Sequence, residues 1–312
     1  MSRALVTGVA GFIGSTLADA LLRAGWDVIG IDAFTDHYAP RRKRDNLVDA
    51  LENARFRLEE IDLRTAPIER YLEGVTHVVH LAALPGVRAS WGDSFRGYAE
   101  HNILATQRLL EAVRGSAVER AVMASSSSIY GTPTRFPTAE EEPPRPLSPY
   151  GVTKVSAEAL LHAYRQRDQL TVVALRYFTV YGPRQRPDMG FHAFFEAARN
   201  DAPVTVYGDG GQTRDFTYVD DAVAATVTAM TRPTRELTYN VGGGHRVSLN
   251  EVLSRIERVT GRTLKRRHVA PSPGDPRDTS ADITRARRDL AYDPKTELTE
   301  GLERQWAWQR NR

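Results

Sequence analysis

Cysteine is absent from all 312 residues, which excludes disulfides, thiolate catalysis and cysteine-ligated metals and leaves thiol content silent about redox compartment. No stretch approaches the roughly 18 consecutive apolar residues of a membrane-spanning helix. The segment Met1–Gly14, a short apolar run broken by glycines, lacks the longer apolar region of a secretory signal. Charge of one sign is also scarce: 42 Lys and Arg against 39 Asp and Glu leave a formal +3. With no nucleic-acid-binding motif beside it, so small an excess gives no reason to expect a nucleic-acid partner. Flexible Gly/Ser linkers and internal repeats are missing too. What remains, 41% hydrophobic and 26% charged, is the composition of an ordinary globular protein, long enough to bury a large core. A cytoplasmic location without membrane attachment is expected.

Short β-branched apolar runs at Ala4–Thr7, Asp27–Ile31, His77–Ala82, Arg120–Ser125 and Thr171–Arg176 alternate with segments of helical spacing such as Ser15–Ala24 and Asn102–Val113. That alternation predicts an α/β fold with a doubly wound parallel sheet. It ends near Gly182-Pro183. Beyond lie a helical stretch Phe191–Asn200, an apolar run Val204–Tyr207, the turn-rich Gly208–Gly211 and a proline-rich loop Pro271–Pro276. The predicted division is a nucleotide-binding domain over 1–178, with a return of the chain over about 215–246. The remainder of 179–312 is expected to form a smaller mixed α/β domain.

Between the first strand and the first helix stands Thr7-Gly8-Val9-Ala10-Gly11-Phe12-Ile13-Gly14. Glycines there permit a tight turn and close approach of backbone to a pyrophosphate, which the following helix N-terminus would face with unpaired N–H groups. The spacing Gly-x-x-Gly-x-x-Gly departs from the commoner Gly-x-Gly-x-x-Gly. Asp32 ends the second strand, where a carboxylate accepts hydrogen bonds from an adenosine ribose and repels a 2′-phosphate, favouring NAD over NADP; it reads otherwise as a loop cap. Asp62 is read the same two ways, as an adenine contact or a cap.

Tyr150 and Lys154 are four residues apart, on one helical face. An ammonium near a phenol is expected to lower its pKa and make it a general base. Upstream, Ser125-Ser126-Ser127-Ser128 follows a strand at the sheet edge where such folds carry ligands, and a hydroxyl there can bridge a substrate oxygen and Tyr150.

A resemblance covering nearly the whole chain rests on Thr7–Gly14, Asp62-Leu63-Arg64, His80-Leu81-Ala82-Ala83, Ser125–Gly131, Tyr150–Lys154, Arg176–Gly182 and Gly211–Phe216 followed by Val219-Asp220-Asp221. The chain resembles the extended short-chain dehydrogenases/reductases, among them the NAD-dependent nucleotide-sugar epimerases and dehydratases. The resemblance implies a Rossmann-type nucleotide domain with NAD held by Gly8, Gly11, Phe12, Ile13, Gly14, Asp32, Asp62, Leu63, Leu81, Ala82 and Ala83. It assigns Ser126, Tyr150 and Lys154 to chemistry on a sugar hydroxyl, with Lys154 also on the nicotinamide ribose. Arg214 would pair with the substrate pyrophosphate, and Phe191, Val204, Tyr207 and Arg277 would surround a uridine. Asn102 matches a structural position. Ser272-Pro273-Gly274-Asp275 stands where many relatives have Arg-Pro-Gly-Asp, which leaves the second phosphate contact open. A homodimer through two helices of the nucleotide domain is implied as well.

Dehydratases of this group carry Thr-Asp-Glu where this chain has Ser126-Ser127-Ser128, so sugar dehydration is not expected. Epimerisation at C4 of a UDP-sugar needs no acid pair: it passes through a 4-keto sugar and regenerates the cofactor. Thr179 and the run Arg186-Pro187-Asp188-Met189 most resemble the UDP-glucuronate 4-epimerases. A guanidinium at Arg186 suits a uronate, because it can hold a carboxylate bidentately and restrain a β-keto acid that loses carbon dioxide easily. Ser127, Ser128, Thr179 and Arg186 are the candidates for that restraint, with generic loop contacts or phosphate ligands as the other reading. Arg88 reads equally as a sugar-side contact or a surface residue. The competing readings are a UDP-glucose or UDP-N-acetylhexosamine 4-epimerase, a UDP-glucuronate decarboxylase, and a non-catalytic NAD-binding regulator.

His77 and His80 point to opposite faces of a strand and make no metal pair; no metal is expected. Arg41-Arg42-Lys43-Arg44 reads as a solvated or substrate-adjacent loop, and Glu140-Glu141-Glu142 as a solvated loop leading to Tyr150.

Overall fold

The residues Ala4-Leu5-Val6-Thr7 are all fully buried, the pattern of a strand covered on both faces. The structure, a computed structural model, describes residues 2–271 and 274–312. In it β1 (Arg3–Thr7), β2 (Asp27–Asp32), β3 (Phe56–Glu60), β4 (His77–His80), β5 (Arg120–Ser126) and β6 (Val172–Tyr177) join a last strand, Thr238–Val241, in one seven-stranded sheet. The spatial order is Thr238–Val241, β6, β5, β4, β1, β2, β3, and every pairing is parallel. The winding therefore reverses between β1 and β4, and the crevice at the carboxyl ends of such strands is where doubly wound sheets take ligands.

Two strands of this sheet were not among the apolar runs. β3 is Phe-Arg-Leu-Glu-Glu at the sheet edge, paired on one side only, so charged residues cost it little. Thr238–Val241 carries a polar Asn240 that is fully buried; its side chain donates to Thr138 O at 2.9 Å and accepts from Tyr130 Oη at 2.7 Å.

The alternation of a strand divides the core into two clusters, one on each face of the sheet: Ala4 and Val6 join one, Leu5 the other. The first continues through Tyr181, Phe191, Phe216 and Leu302, so the C-terminal part shares a core with the sheet. That part comprises helix Gly190–Arg199, the parallel pair Val204–Tyr207 with Arg266–Val269, the antiparallel pair Thr213–Asp215 with Arg246–Ser248, and helices Leu249–Thr260 and Leu298–Arg310. Helix Val219–Thr231 leads back into the sheet at Thr238–Val241. Among the described residues no helix is long and apolar enough to cross a membrane.

Helix Pro149–Asp168 begins where Ser148 Oγ accepts from Gly151 N at 3.1 Å, with Pro149 in the first turn, both favourable at a helix start. The segment Phe95–Arg114 is helical but passes through a π turn at Glu100–Leu104, which seats Asn102. Its amide donates to Leu84 O and Thr153 Oγ1, both at 3.0 Å, and its carbonyl accepts from Leu84 N at 2.8 Å. Asn102 thereby ties the loop after β4 to the helix that carries Tyr150 and Lys154.

Candidate active site

The turn after β1 leaves no room for side chains. A Cβ on Gly8, whose φ is +69°, would meet Ala82 N at 2.7 Å, and one on Gly14 would lie 2.2 Å from Gly8 O. Gly11 N donates to Gly8 O at 3.0 Å, closing the turn ahead of helix α1 (Phe12–Arg23). The helix's first N–H groups open on the cleft at the β1–β4 crevice, an arrangement suited to a pyrophosphate. At the end of β2, Asp32 accepts from Ala10 N at 3.0 Å and Phe34 N at 2.8 Å, each on a different oxygen, so lone pairs remain for a ribose. Burial raises its pKa against those hydrogen bonds and the charge of Lys43. Asp62 is gripped by Arg64 through Nε and Nη2; these hydrogen bonds outweigh burial and keep its carboxyl below the usual range.

One cleft of about 950 Å³ runs from this turn along the carboxyl edge of the sheet. Gly8, Gly11, Phe12, Ile13, Gly14, Asp32, Asp62, Leu63, Leu81, Ala82 and Ala83 line one region of it. Arg88, Ser126, Ser127, Ser128, Tyr150, Lys154, Thr179, Arg186, Val204, Tyr207 and Arg214 line the rest. Two expected residues are not among them. Phe191 is buried in an aromatic cluster with Tyr181 and Phe216 at centroid distances of 5.2 and 4.8 Å, because the helical period turns it toward the core. Arg277 is exposed, 3.6 Å from Asp209. Of the loop that departs from Arg-Pro-Gly-Asp, Ser272 and Pro273 lie outside the described residues. Its Asp275 takes a hydrogen bond from Arg88 Nη2 at 3.2 Å, and the Arg88 guanidinium lies 3.8 Å from the Tyr207 ring centroid.

Lys154 is buried and donates to Ala124 O at 2.9 Å; its Nζ is 5.9 Å from the Tyr150 ring centroid. Burial pushes the ammonium down from 10.5 to about 8, opposed by Glu158. Tyr150 differs from the simple expectation of an acidified phenol. Burial raises its pKa, and only the Ser126 hydroxyl and the Arg186 charge act against that, since a phenolate loses more solvation in this enclosure than its neighbours return. Ser126 Oγ, for its part, donates to Ser128 Oγ and accepts from Ser128 N, both at 3.1 Å.

Behind the serines lies a polar core that residue patterns did not reveal. Ser125 donates to Glu158, which takes both Nε and Nη2 of Arg176 at 3.0 and 2.7 Å. Arg176 Nη1 also reaches Tyr130 Oη and Glu140 O. Glu140, read as part of a solvated run, is instead buried and accepts from Asn240 N at 2.7 Å; only its neighbour Glu141 is exposed. The basic run is likewise not all solvated. It forms a short helix, α2 (Pro40–Asp45), whose Lys43 is buried, donates to Thr35 O at 2.8 Å and lines the cleft beside Asp32. His37, Tyr38 and Asp188 line it too; the first two belong to no motif, and Asp188 comes from the Arg186–Met189 run.

His80 completes a relay. Ala82 N donates to Thr7 Oγ1 and Thr106 Oγ1 donates to Asn102 O, so His80 accepts from Thr7 at Nδ1 (2.7 Å) and donates to Thr106 from Nε2 (3.0 Å). Burial, then the Lys154 charge, lowers its pKa to about 3, keeping it neutral. Among the described residues no three His, Asp or Glu side chains are grouped to hold a metal ion.

The glycine turn, the Asp at the end of β2 and the Ser126–Tyr150–Lys154 grouping in one cleft coincide with a family match. The profile of the NAD dependent epimerase/dehydratase family matches residues 4–242. The chain belongs to that family. It is 45% identical to the uncharacterized UDP-glucose epimerase YtcB of Bacillus subtilis over 97% of this chain and 96% of that protein. With a UDP-glucuronate 4-epimerase of Thermodesulfobacterium geofontis the identity is 36%, over 97% and 95% of the two chains. Among solved structures, the UDP-glucuronic acid 4-epimerase of Bacillus cereus in complex with UDP-glucuronic acid and NAD superposes with a TM-score of 0.96 at 40% identity, covering 99% of each chain. In this member of the family the glycine turn and the Tyr150–Lys154 pair line the same cleft.

Proposed function

We propose that this enzyme interconverts UDP-glucuronate and UDP-galacturonate by epimerisation at C4. The observation that carries the reading is Arg186, which lines the cleft with Tyr150, Thr179, Ser127 and Ser128 and acts electrostatically on the Tyr150 phenol. A fixed cation and three hydroxyls beside the proton acceptor suit a sugar that carries a carboxylate next to the reacting carbon.

The glycine turn, Asp32, Asp62 and Lys154 would hold NAD, and the fit is that of a turn drawn in so tightly, Gly8 against Ala82 and Gly14 against Gly8 O, that neither position admits a side chain. Bound there, NAD would accept the C4 hydrogen with its electron pair and return it. Tyr150 takes the C4 hydroxyl proton and gives it back. The Arg186 charge and the Ser126 hydroxyl lower the cost of a phenolate in a desolvated site, while Lys154 would reach the nicotinamide ribose. Ser126 Oγ holds the sugar oxygen on line with Tyr150, while Ser127, Ser128, Thr179 and Arg186 restrain the carboxylate. Arg214 meets the pyrophosphate, Arg88 approaches the sugar, and Val204 and Tyr207 flank the uridine.

Incubation of the purified protein with UDP-glucuronate, and separately with UDP-glucose, tests this by NMR of the products without added reductant. UDP-galacturonate from the first alone supports the uronate reading. The neutral-sugar reading is favoured by Arg186 being already forked onto Asp188; UDP-galactose from the second alone would establish it. A pentose product would make the enzyme a decarboxylase, and no product from either would favour a non-catalytic regulator. A homodimer is proposed through the helical segment Phe95–Arg114 and helix Pro149–Asp168, on which Phe95, Leu104 and Val152 are exposed; sedimentation showing only monomer at micromolar concentration would refute it. A cytoplasmic site of action is proposed with the activity, because NAD and UDP-sugars are intracellular metabolites.

A further inference from the structure

Arg186 reaches the cleft already engaged. Its Nε and Nη2 donate to the two carboxylate oxygens of Asp188, both at 3.0 Å, and His37 Nε2 lies 3.7 Å from the same carboxylate. Burial acts to raise the Asp188 pKa, but the nearby His37 ring and the hydrogen bonds and charge of Arg186 outweigh it and hold the carboxyl well below the usual range. Asp188 is therefore a permanent anion.

A guanidinium has five N–H donors and more than one edge on which a carboxylate can sit. The Asp188 fork takes the Nε edge, and Nη1 makes no hydrogen bond to a described residue, so an edge stays open for a second carboxylate. That second anion meets an Arg whose charge is already balanced. C4 epimerisation through a 4-keto sugar requires the ring to present both faces, so a uronate's carboxylate must be gripped, released and gripped again in every turnover. A grip equally strong in every bound state lowers KM without raising kcat, and one that favours a single ring orientation slows the turnover.

We propose that Asp188 is a positioning residue that serves as a counter-charge to Arg186, weakening its hold on the substrate carboxylate enough for the uronate ring to turn within the cleft. The inference rests on the UDP-glucuronate reading above.

The test compares wild type, Asp188→Asn and Asp188→Glu in the NAD-loaded enzyme, by calorimetric binding of UDP-glucuronate and UDP-glucose and by steady-state kinetics. Two carboxylates on one guanidinium repel across a partly screened gap, so Asp188→Asn is expected to bind UDP-glucuronate roughly three- to tenfold more tightly. Its KM and kcat should fall together, its affinity for UDP-glucose should not change, and Asp188→Glu, which keeps the charge, should restore wild-type binding. A merely structural role would instead weaken both nucleotide sugars and lower the melting temperature. Unchanged or weaker UDP-glucuronate binding in Asp188→Asn, or an equal change for both sugars, overturns the counter-charge. The binding comparison needs no turnover, so it is read separately from the activity assay: a wild type that leaves UDP-glucuronate unconverted defeats the functional reading alone.

Discussion

Lys154 is expected to cost the fold stability that the activity requires. Replacing it by Met keeps the aliphatic stem and removes the ammonium. In the folded protein burial lowers its pKa from 10.5 to about 8, which at about 1.4 kcal/mol per tenfold is roughly 3 kcal/mol at pH 7. The lost hydrogen bond to Ala124 O takes back about 1 kcal/mol. A net stabilisation of about 1–2 kcal/mol is left, a rise in melting temperature of roughly 2–4 °C. The sign follows from proton counts: the folded pKa lies below the unfolded one, so between about 8 and 10.5 the unfolded chain binds the extra proton and wild-type stability rises with pH. The variant's advantage should be full below that window, shrink across it and reverse above it, where the lost hydrogen bond alone leaves the variant about 1 kcal/mol less stable. Denaturant unfolding of NAD-free protein at a series of pH values measures it, and a turnover assay should show activity lost. A variant less stable than wild type at pH 7, or a difference that does not shrink as pH rises, would refute the argument.

Tyr150→Phe should lower turnover by roughly 100- to 10,000-fold, the range of general acid–base catalysis, while the purified protein still carries NAD by absorbance; retained turnover would remove Tyr150 from the proton step. Gly14→Ala places a methyl against Gly8 O and should cost about 1–3 kcal/mol by overpacking together with a weakened affinity for NAD, measured by unfolding and by fluorescence titration. Glu158→Ala strips the buried Arg176 of its carboxylate and should cost about 3–5 kcal/mol; a melting temperature within a degree of wild type would show that Arg176 finds another partner.

The parts of this protein written into its sequence are those governed by near neighbours along the chain. Runs such as Ala4–Thr7 and Val172–Leu175 specify strands buried on both faces, Gly8, Gly11 and Gly14 specify a turn with no room for side chains, and the four-residue spacing of Tyr150 and Lys154 puts both on one helical face. Edge strand β3 escaped, because a strand paired on one side tolerates the charges that blur its pattern. Only the tertiary structure decided which polar groups lose their water. Lys43 and Glu140 come from charged runs yet are buried, because Asp32 and Thr35 face the one and Asn240 and Arg285 the other. Phe191, expected beside a uridine, turns into an aromatic cluster instead. The Tyr150 phenol rises rather than falls in pKa because burial outweighs the Ser126 hydroxyl and the Arg186 charge that face it. Desolvation and charge pairing depend on residues brought together from distant parts of the chain, whereas periodicity reports only what lies within a turn or two along it.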